Sequence, residues 1–224
     1  MPGQMQRALE QLLSCAGTVS HKTLRFLKND DVAASTLKPE IEGIYRSLGG
    51  ILPSIPHFKL SHWDMEFDGI AVELDESLHF NRYRAITLKS ASYEHFPRFP
   101  LDSYQRFCSE GEETCCKNGK RPRGKWTNDS CEKQFGKASQ PGDLSGNGSP
   151  RWKQRAFYDF LKDLSPLLID VRVVRVAVWD VLANVDRTKT VGEILAASAR
   201  QPPAASGEGR SAALAALVKE RVDG

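Results

Sequence analysis

Five carboxylates stand in the segment Trp63-Asp64-Met65-Glu66-Phe67-Asp68-Gly69-Ile70-Ala71-Val72-Glu73-Leu74-Asp75, and Asp64, Glu73 and Asp75 are the three placed to act together. Asp68-Gly69 between two alternating runs is the signal for a two-residue type I′ hairpin. Such a turn fixes register. Phe67 faces Ile70, Glu66 faces Ala71, Met65 faces Val72, and Asp64 lies opposite Glu73. Alternation puts Trp63, Met65, Phe67, Ile70, Val72 and Leu74 on an apolar face, and His62, Asp64, Glu66, Glu73 and Asp75 on the other. Like charges set opposite each other about 5 Å apart repel, so Asp64, Glu73 and Asp75 call for a positive charge between them. A divalent cation with oxygen ligands, Mg²⁺ or Mn²⁺, would supply it, activate water and stabilise a phosphoryl group under attack. The same pattern also reads as a solvated acidic face that binds nothing.

The elements around this hairpin follow from pattern. Residues 1–38 read as an N-terminal helical arm with Met5, Leu9, Leu12 and Leu13 on one stripe, and Pro39 to Leu48 as a helix ended by Gly49-Gly50. His57 to Phe67 and Ile70 to Leu74 read as strands, while Arg82 to Ser90 fits either a strand or a helix start. Ser149-Pro150 is a helix start, a capping serine before a first-turn proline, with Phe157, Phe160, Leu161 and Leu164 on the core side. The run Val171, Val173, Val174, Val176, Val178 predicts a strand buried on both faces. Thr190 to Ala199 predicts a further helix, 200–210 a linker, and 211–224 a short C-terminal helix. The fold class expected is α/β, a central mixed sheet flanked by helices, in a domain spanning 39–199.

Asp64, then Glu73-Leu74-Asp75, then His79 resembles the Asp…Glu-x-Asp-x-x-x-His pattern of small nucleases related to the very-short-patch repair endonuclease. These are a branch of the PD-(D/E)xK restriction-endonuclease-like superfamily. Val171 to Leu182 resembles their last core strand and the entry to their final helix. The resemblance covers roughly residues 38–90 and 150–196. It implies a restriction-endonuclease-like fold and a metal-dependent endonuclease that hydrolyses DNA phosphodiester bonds, with RNA not excluded. It makes Asp64 and Glu73 metal ligands, Asp75 a further ligand or the group orienting water, and His79 the proton-transfer group. Two departures stand out. Glu76 occupies a glycine position, and Asp75 the superfamily's lysine position, which leaves the catalytic cation unassigned. Lys153, Gln154 or Arg155 could supply a phosphate contact, and Glu42 or Glu40 matches an acidic helix residue. The departures leave a second reading open, a catalytically inactive nucleic-acid-binding or protein-interaction module.

Residues 97–149 carry four of the five cysteines and read as an irregular insertion. Cys108, Cys115, Cys116 and Cys131, with His95 available to complete a set, could hold a structural Zn²⁺, although paired Cys-x-x-Cys knuckles are absent. The basic run holding Lys120, Arg121, Arg123 and Lys125 ends in Trp126 and suits phosphate contact and base stacking as well as it suits a solvated loop.

The 224 residues are enough for one domain with a real core, and a formal net charge of +3 tolerates nucleic acid without demanding it. An odd cysteine count without an export signal argues against a disulfide framework, and no apolar run is long enough to span a bilayer. The expectation is a cytoplasmic protein with no membrane partner, its oligomeric state open and a homodimer allowed.

Overall fold

The computed structural model describes residues 3–119, 126–182, 185, 188–200 and 208–222. In chain order its elements are α1 (Gln4–Ser14), β1 (Val19–Ser20), α2 (Asn29–Ala33), α3 (Lys38–Ser47), β2 (Met65–Phe67), β3 (Ile70–Asp75), α4 (Arg82–Thr87), α5 (Leu101–Gly119), α6 (Asp129–Phe135), α7 (Pro150–Asp163), α8 (Ser165–Ile169), β4 (Val173–Ala177), α9 (Val191–Arg200) and α10 (Glu208–Val222). Short 3-10 turns at Ser77–His79 and Ala91–His95 flank α4. No described helix is long and apolar enough to cross a membrane.

The hairpin forms as its turn chemistry dictates. Asp68 and Gly69 both have positive φ, 49° and 75°, and the pairs Phe67↔Ile70, Glu66↔Ala71 and Met65↔Val72 follow. One four-stranded mixed sheet runs in the order β1-β2-β3-β4, antiparallel from β1 to β3 and parallel between β3 and β4. The Val171 run therefore lies beside the hairpin, although only Val173–Ala177 is strand. Residues 57–64 are not strand, so the predicted first strand is much shorter than its apolar run.

The sheet's apolar face carries Met65, Phe67, Val72, Leu74, Val174 and Val176, all in the main core. Leu9, Leu12 and Leu13 of α1 and Leu214 and Val218 of α10 are buried in that core too. The N-terminal helix α1 and the C-terminal helix α10 therefore both pack on the same core. Trp63 departs from the alternation: it packs with Ala71 and Val171 in a small second cluster. The acidic face is not solvated either, since Glu66, Glu73 and Asp75 are at most 5% exposed.

α7 covers the Glu73 part of that face through Lys162, while Ser20, Thr23 and Leu24 close over Glu66. Ser149 caps α7, its Oγ accepting the Trp152 N–H at 3.2 Å. Arg82–Thr87 resolves as helix, capped by Asn81. The expected irregular insertion holds two helices, α5 and α6, among its described residues: α5 runs 19 residues and buries Tyr104, Phe107, Cys108, Gly111 and Cys115, a helical stripe of spacing three and four. Lys120, Arg121, Arg123, Lys125 and residues 201–207 of the expected linker lie outside the described residues, while 208–210 already belong to α10.

Candidate active site

Asp64 and Glu73 meet just beyond the last paired residues of the hairpin, Met65 and Val72, through side-chain to backbone bonds. The Asp64 N–H points at Glu73 Oε1 (3.3 Å), and Asp64 Oδ2 accepts the Leu74 N–H at 2.9 Å. Burial raises the Asp64 carboxyl above its ordinary pKa, with Leu74 and Lys162 pulling the other way. Burial, and then the neighbouring Asp64 charge, push Glu73 up to about 7 against the pull of Lys162. Lys162 reaches from α7 to place its ammonium 2.6 Å from Glu73 Oε1 and 3.3 Å from the His62 carbonyl, with the Trp63 ring 5.2 Å away.

Asp75 faces the same way two residues on. Its Oδ1 meets the Arg175 guanidinium of β4 at 2.7 Å, and its Oδ2 accepts the Tyr104 hydroxyl at 3.0 Å. Arg175 also donates to Asp163 Oδ1 and, at 2.9 Å, to the Asp159 carbonyl. Asp163 is held as well by Arg84 (2.7 Å) and the Tyr93 hydroxyl (2.6 Å). The positive charge that the acidic hairpin needs is therefore covalent in large part, supplied by Lys162 and Arg175.

His79 completes the group. Its Nδ1 lies 2.8 Å from Asp159 Oδ2 and 3.3 Å from Asp75 Oδ1. Burial alone would raise the Asp159 carboxyl, but His79 and Arg175 outweigh it and hold that carboxyl well below the usual range. Asp75, His79 and Asp159 bring one ligand atom each within 4.8 Å of one another, and this is the group among the described residues that could share an ion. Asp64 and Glu73, expected beside Asp75 as ligands, are not in this group: Glu73 is paired with Lys162, and Asp159 stands next to Asp75 and His79.

The group fits a hard cation in donor type and in charge. Asp64, Glu73, Asp75, Asp159 and Asp163 against Lys162, Arg175 and Arg84 leave two formal negative charges with Glu73 ionised and His79 neutral. Protonating His79 would halve that excess, and a divalent ion would cancel it. The approach is a cleft of about 160 Å³ lined by Gly3, Gln6, Asp64, Leu74, Glu76 and His79.

The other sequence-predicted residues lie apart. Lys153 is buried, and its ammonium donates to Asn147 Oδ1 at 2.6 Å, so it is not free for a phosphate. Arg155 donates to the Leu78 carbonyl at 3.2 Å, between the site helix and the turn that carries His79. Glu40 accepts from Ser90 and Ser92, tying α3 to the turn after α4. The cysteines do not converge: no described group able to share an ion includes one. Burial pushes the Cys108 thiol up to about 11 and the Cys115 thiol to about 12, the wrong direction for thiolate ligands. Cys131 instead lies 3.0 Å from both the backbone N and O of Asn128 at the start of α6.

Asp159, Lys162, Asp163 and Arg175 were the functional candidates that sequence reading passed over. Two signals pointed to them. Arg175 interrupts a β-branched run read as buried, and Asp159, Lys162 and Asp163 share one helical face at spacings of three and four.

No curated protein matches the chain, and no solved structure does. Residues 43–197, more than half of the chain, match a family described as a family of unknown function, DUF7255, and the chain belongs to that family.

Proposed function

We propose that this protein is a metal-dependent endonuclease of restriction-endonuclease-like fold that hydrolyses DNA phosphodiester bonds at the Asp64–His79 cleft. The observation that carries the reading is an open cleft lined by Asp64 and His79, with buried Glu73 next to Asp64 and buried Asp75 and Asp159 next to His79. The mixed sheet with the Val171 strand beside the acidic hairpin supports it. So does Lys162, which brings a lysine to Glu73 from α7 where the resemblance lacks one at position 75.

Asp64 is the group that meets water. One of its oxygens is fixed by the Leu74 N–H, which leaves the other for a water in the cleft. A carboxylate held in this way orients water and accepts its proton as the phosphorus is attacked. Glu73 and Lys162 position Asp64 from behind, and burial around the pair strengthens their mutual interaction. Asp75, His79 and Asp159 would hold Mg²⁺ or Mn²⁺, which supplies Lewis-acid stabilisation of a phosphoryl oxygen. His79 thus moves from proton carrier to ligand, with Nδ1 the nitrogen that faces Asp75 and Asp159. The basic run holding Lys120, Arg121, Arg123 and Lys125 remains the expected contact to the DNA backbone.

Nicking of supercoiled plasmid with Mg²⁺ or Mn²⁺ tests this directly. Asp64→Asn and Asp159→Asn, both close in shape, are expected to lose on the order of 10²-fold or more of the rate while keeping the native circular dichroism spectrum. A wild type that binds plasmid but never cuts it with any divalent metal sinks the nuclease reading. The non-catalytic module then takes over. One observation already favours it: Asp75 and Asp163 are satisfied by Arg175, Arg84 and two tyrosines without any ion.

A further inference from the structure

β4 is the outer strand of the sheet, and only half of its outer edge is sealed. Ala71 N–H donates to the Arg172 carbonyl at 2.9 Å, and Val178 N–H to the Asp75 carbonyl at 3.0 Å. In the parallel register between those bonds, alternate residues of β4 turn their amide groups away from β3. These are Val173, Arg175 and Ala177. Asp180 accepts the Ala177 N–H at 2.8 Å, and Arg221 donates to the Arg175 carbonyl at 2.5 Å. Val173 N–H, Val173 C=O and Arg175 N–H have no hydrogen-bond partner among the described residues.

A trough of about 200 Å³ lies against this open half. Val173, Val174 and Arg175 line it from the strand, Phe96 and Phe99 from the loop after α4, and Leu167 from α8. Leu167 is 41% exposed. Its charge is lopsided. Arg98 and Arg172 line it without an ion-pair partner among the described residues, and His95 stands at the same rim. Its one acidic side chain, Asp163, is already bound by Arg84 and Arg175. A backbone edge with two donors and an acceptor, apolar walls and a surplus of guanidinium is a site for an extended chain carrying carboxylates.

We propose that this trough takes an acidic peptide segment of a partner protein, added to β4 as a fifth strand. Backbone bonds to Val173 and Arg175 set its register, its apolar side chains contact Phe96, Phe99 and Leu167, and its carboxylates meet Arg98 and Arg172. A second copy of this chain is the poorer occupant. Its own trough carries the same surplus of guanidinium, Arg98 and Arg172, so two such edges repel.

The probe is an N-acetylated, C-amidated hexapeptide alternating valine and glutamate, with the valine-lysine peptide as comparison, titrated against the full chain. The glutamate peptide is expected to bind at least tenfold more tightly than the lysine peptide and to slow amide exchange at Val173 and Arg175. Val173→Pro deletes an N–H that is unpaired in the free protein, a change that edge strands tolerate. It should keep the melting temperature within a few degrees and weaken the glutamate peptide at least tenfold. Should that variant fail to fold, the exposed Arg98→Glu is expected to weaken the peptide at least fivefold. Equal binding of both peptides, no binding at millimolar peptide, or undiminished binding by these variants overturns the proposal. A dimer in sedimentation that Val173→Pro dissociates also overturns it, in favour of a second copy.

Discussion

Arg175→Met tests whether the ion network holds the sheet to α7. Arg175 is 2% exposed and bridges Asp75 at 2.7 Å, Asp163, and the Asp159 carbonyl at 2.9 Å. Methionine fills similar volume, so the loss is one of charge and hydrogen bonds rather than of packing. Removing one partner of a buried ion pair costs about 3–5 kcal/mol, because the other charge stays buried. Here each acid keeps a second partner: Tyr104 for Asp75, Arg84 for Asp163 and His79 for Asp159. The expected loss at pH 7 is therefore about 3 kcal/mol, a large share of the 5–15 kcal/mol typical of a domain. Urea denaturation followed by circular dichroism would show the midpoint fall by about 1 M or more at unchanged slope.

The pH dependence sharpens that test. Asp159 has a depressed pKa in the folded wild type, so its contribution is present above its unfolded value, near 3.9, and is lost as pH falls through the folded value. Arg175 is one cause of the depression, so the variant retains less of this contribution at pH 7 and the gap to wild type narrows on acidification. Adding Asp75→Asn to Arg175→Met should return about 1–2 kcal/mol by removing a stranded charge. A loss below about 1 kcal/mol at pH 7, or a gap that widens in acid, would refute the reasoning.

Glu73 predicts the opposite trend. Its folded value of about 7 lies above its ordinary 4.5, so its contribution is fully present below pH 4.5 and is lost as pH rises through 7. Glu73→Gln should flatten the stability profile in that window by up to about 3 kcal/mol, read by urea titrations from pH 4 to 8; an unchanged profile would contradict it. Gly111→Ala would set a Cβ 2.3 Å from the Trp179 ring and should cost about 1–3 kcal/mol in melting experiments. Ser149→Ala removes the α7 cap and should cost about 1 kcal/mol, less than Arg175→Met by the same assay.

What the sequence disclosed and what it hid divide along one physical line. Asp68-Gly69 fixes the hairpin register because turn geometry is local, and Ser149-Pro150 marks α7 because capping is local. The β-branched run located β4 for the same reason, although the strand proved shorter. Alternation also placed Asp64, Glu73 and Asp75 on one face, but it says nothing about what covers that face. The answer lay 89 residues away in Lys162 and 100 away in Arg175. Helix α5 escaped notice because its buried stripe includes Gly111 and two cysteines, residues that read as loop or metal site when they are packing against Trp179 and Asn81. The consequence reaches the chemistry. Repulsion within the hairpin argues for a positive charge, and two buried side chains supply most of it. The case for a divalent ion rests instead on the charge left over in the whole network, at Asp64 and Asp159, once Lys162, Arg175 and Arg84 are counted. That residue of charge predicts Mn²⁺ binding that Asp159→Asn abolishes and Glu73→Gln does not. Titration calorimetry in which Glu73→Gln instead removes the ion would return the metal to the hairpin and put the assignment of Asp159 as a ligand aside.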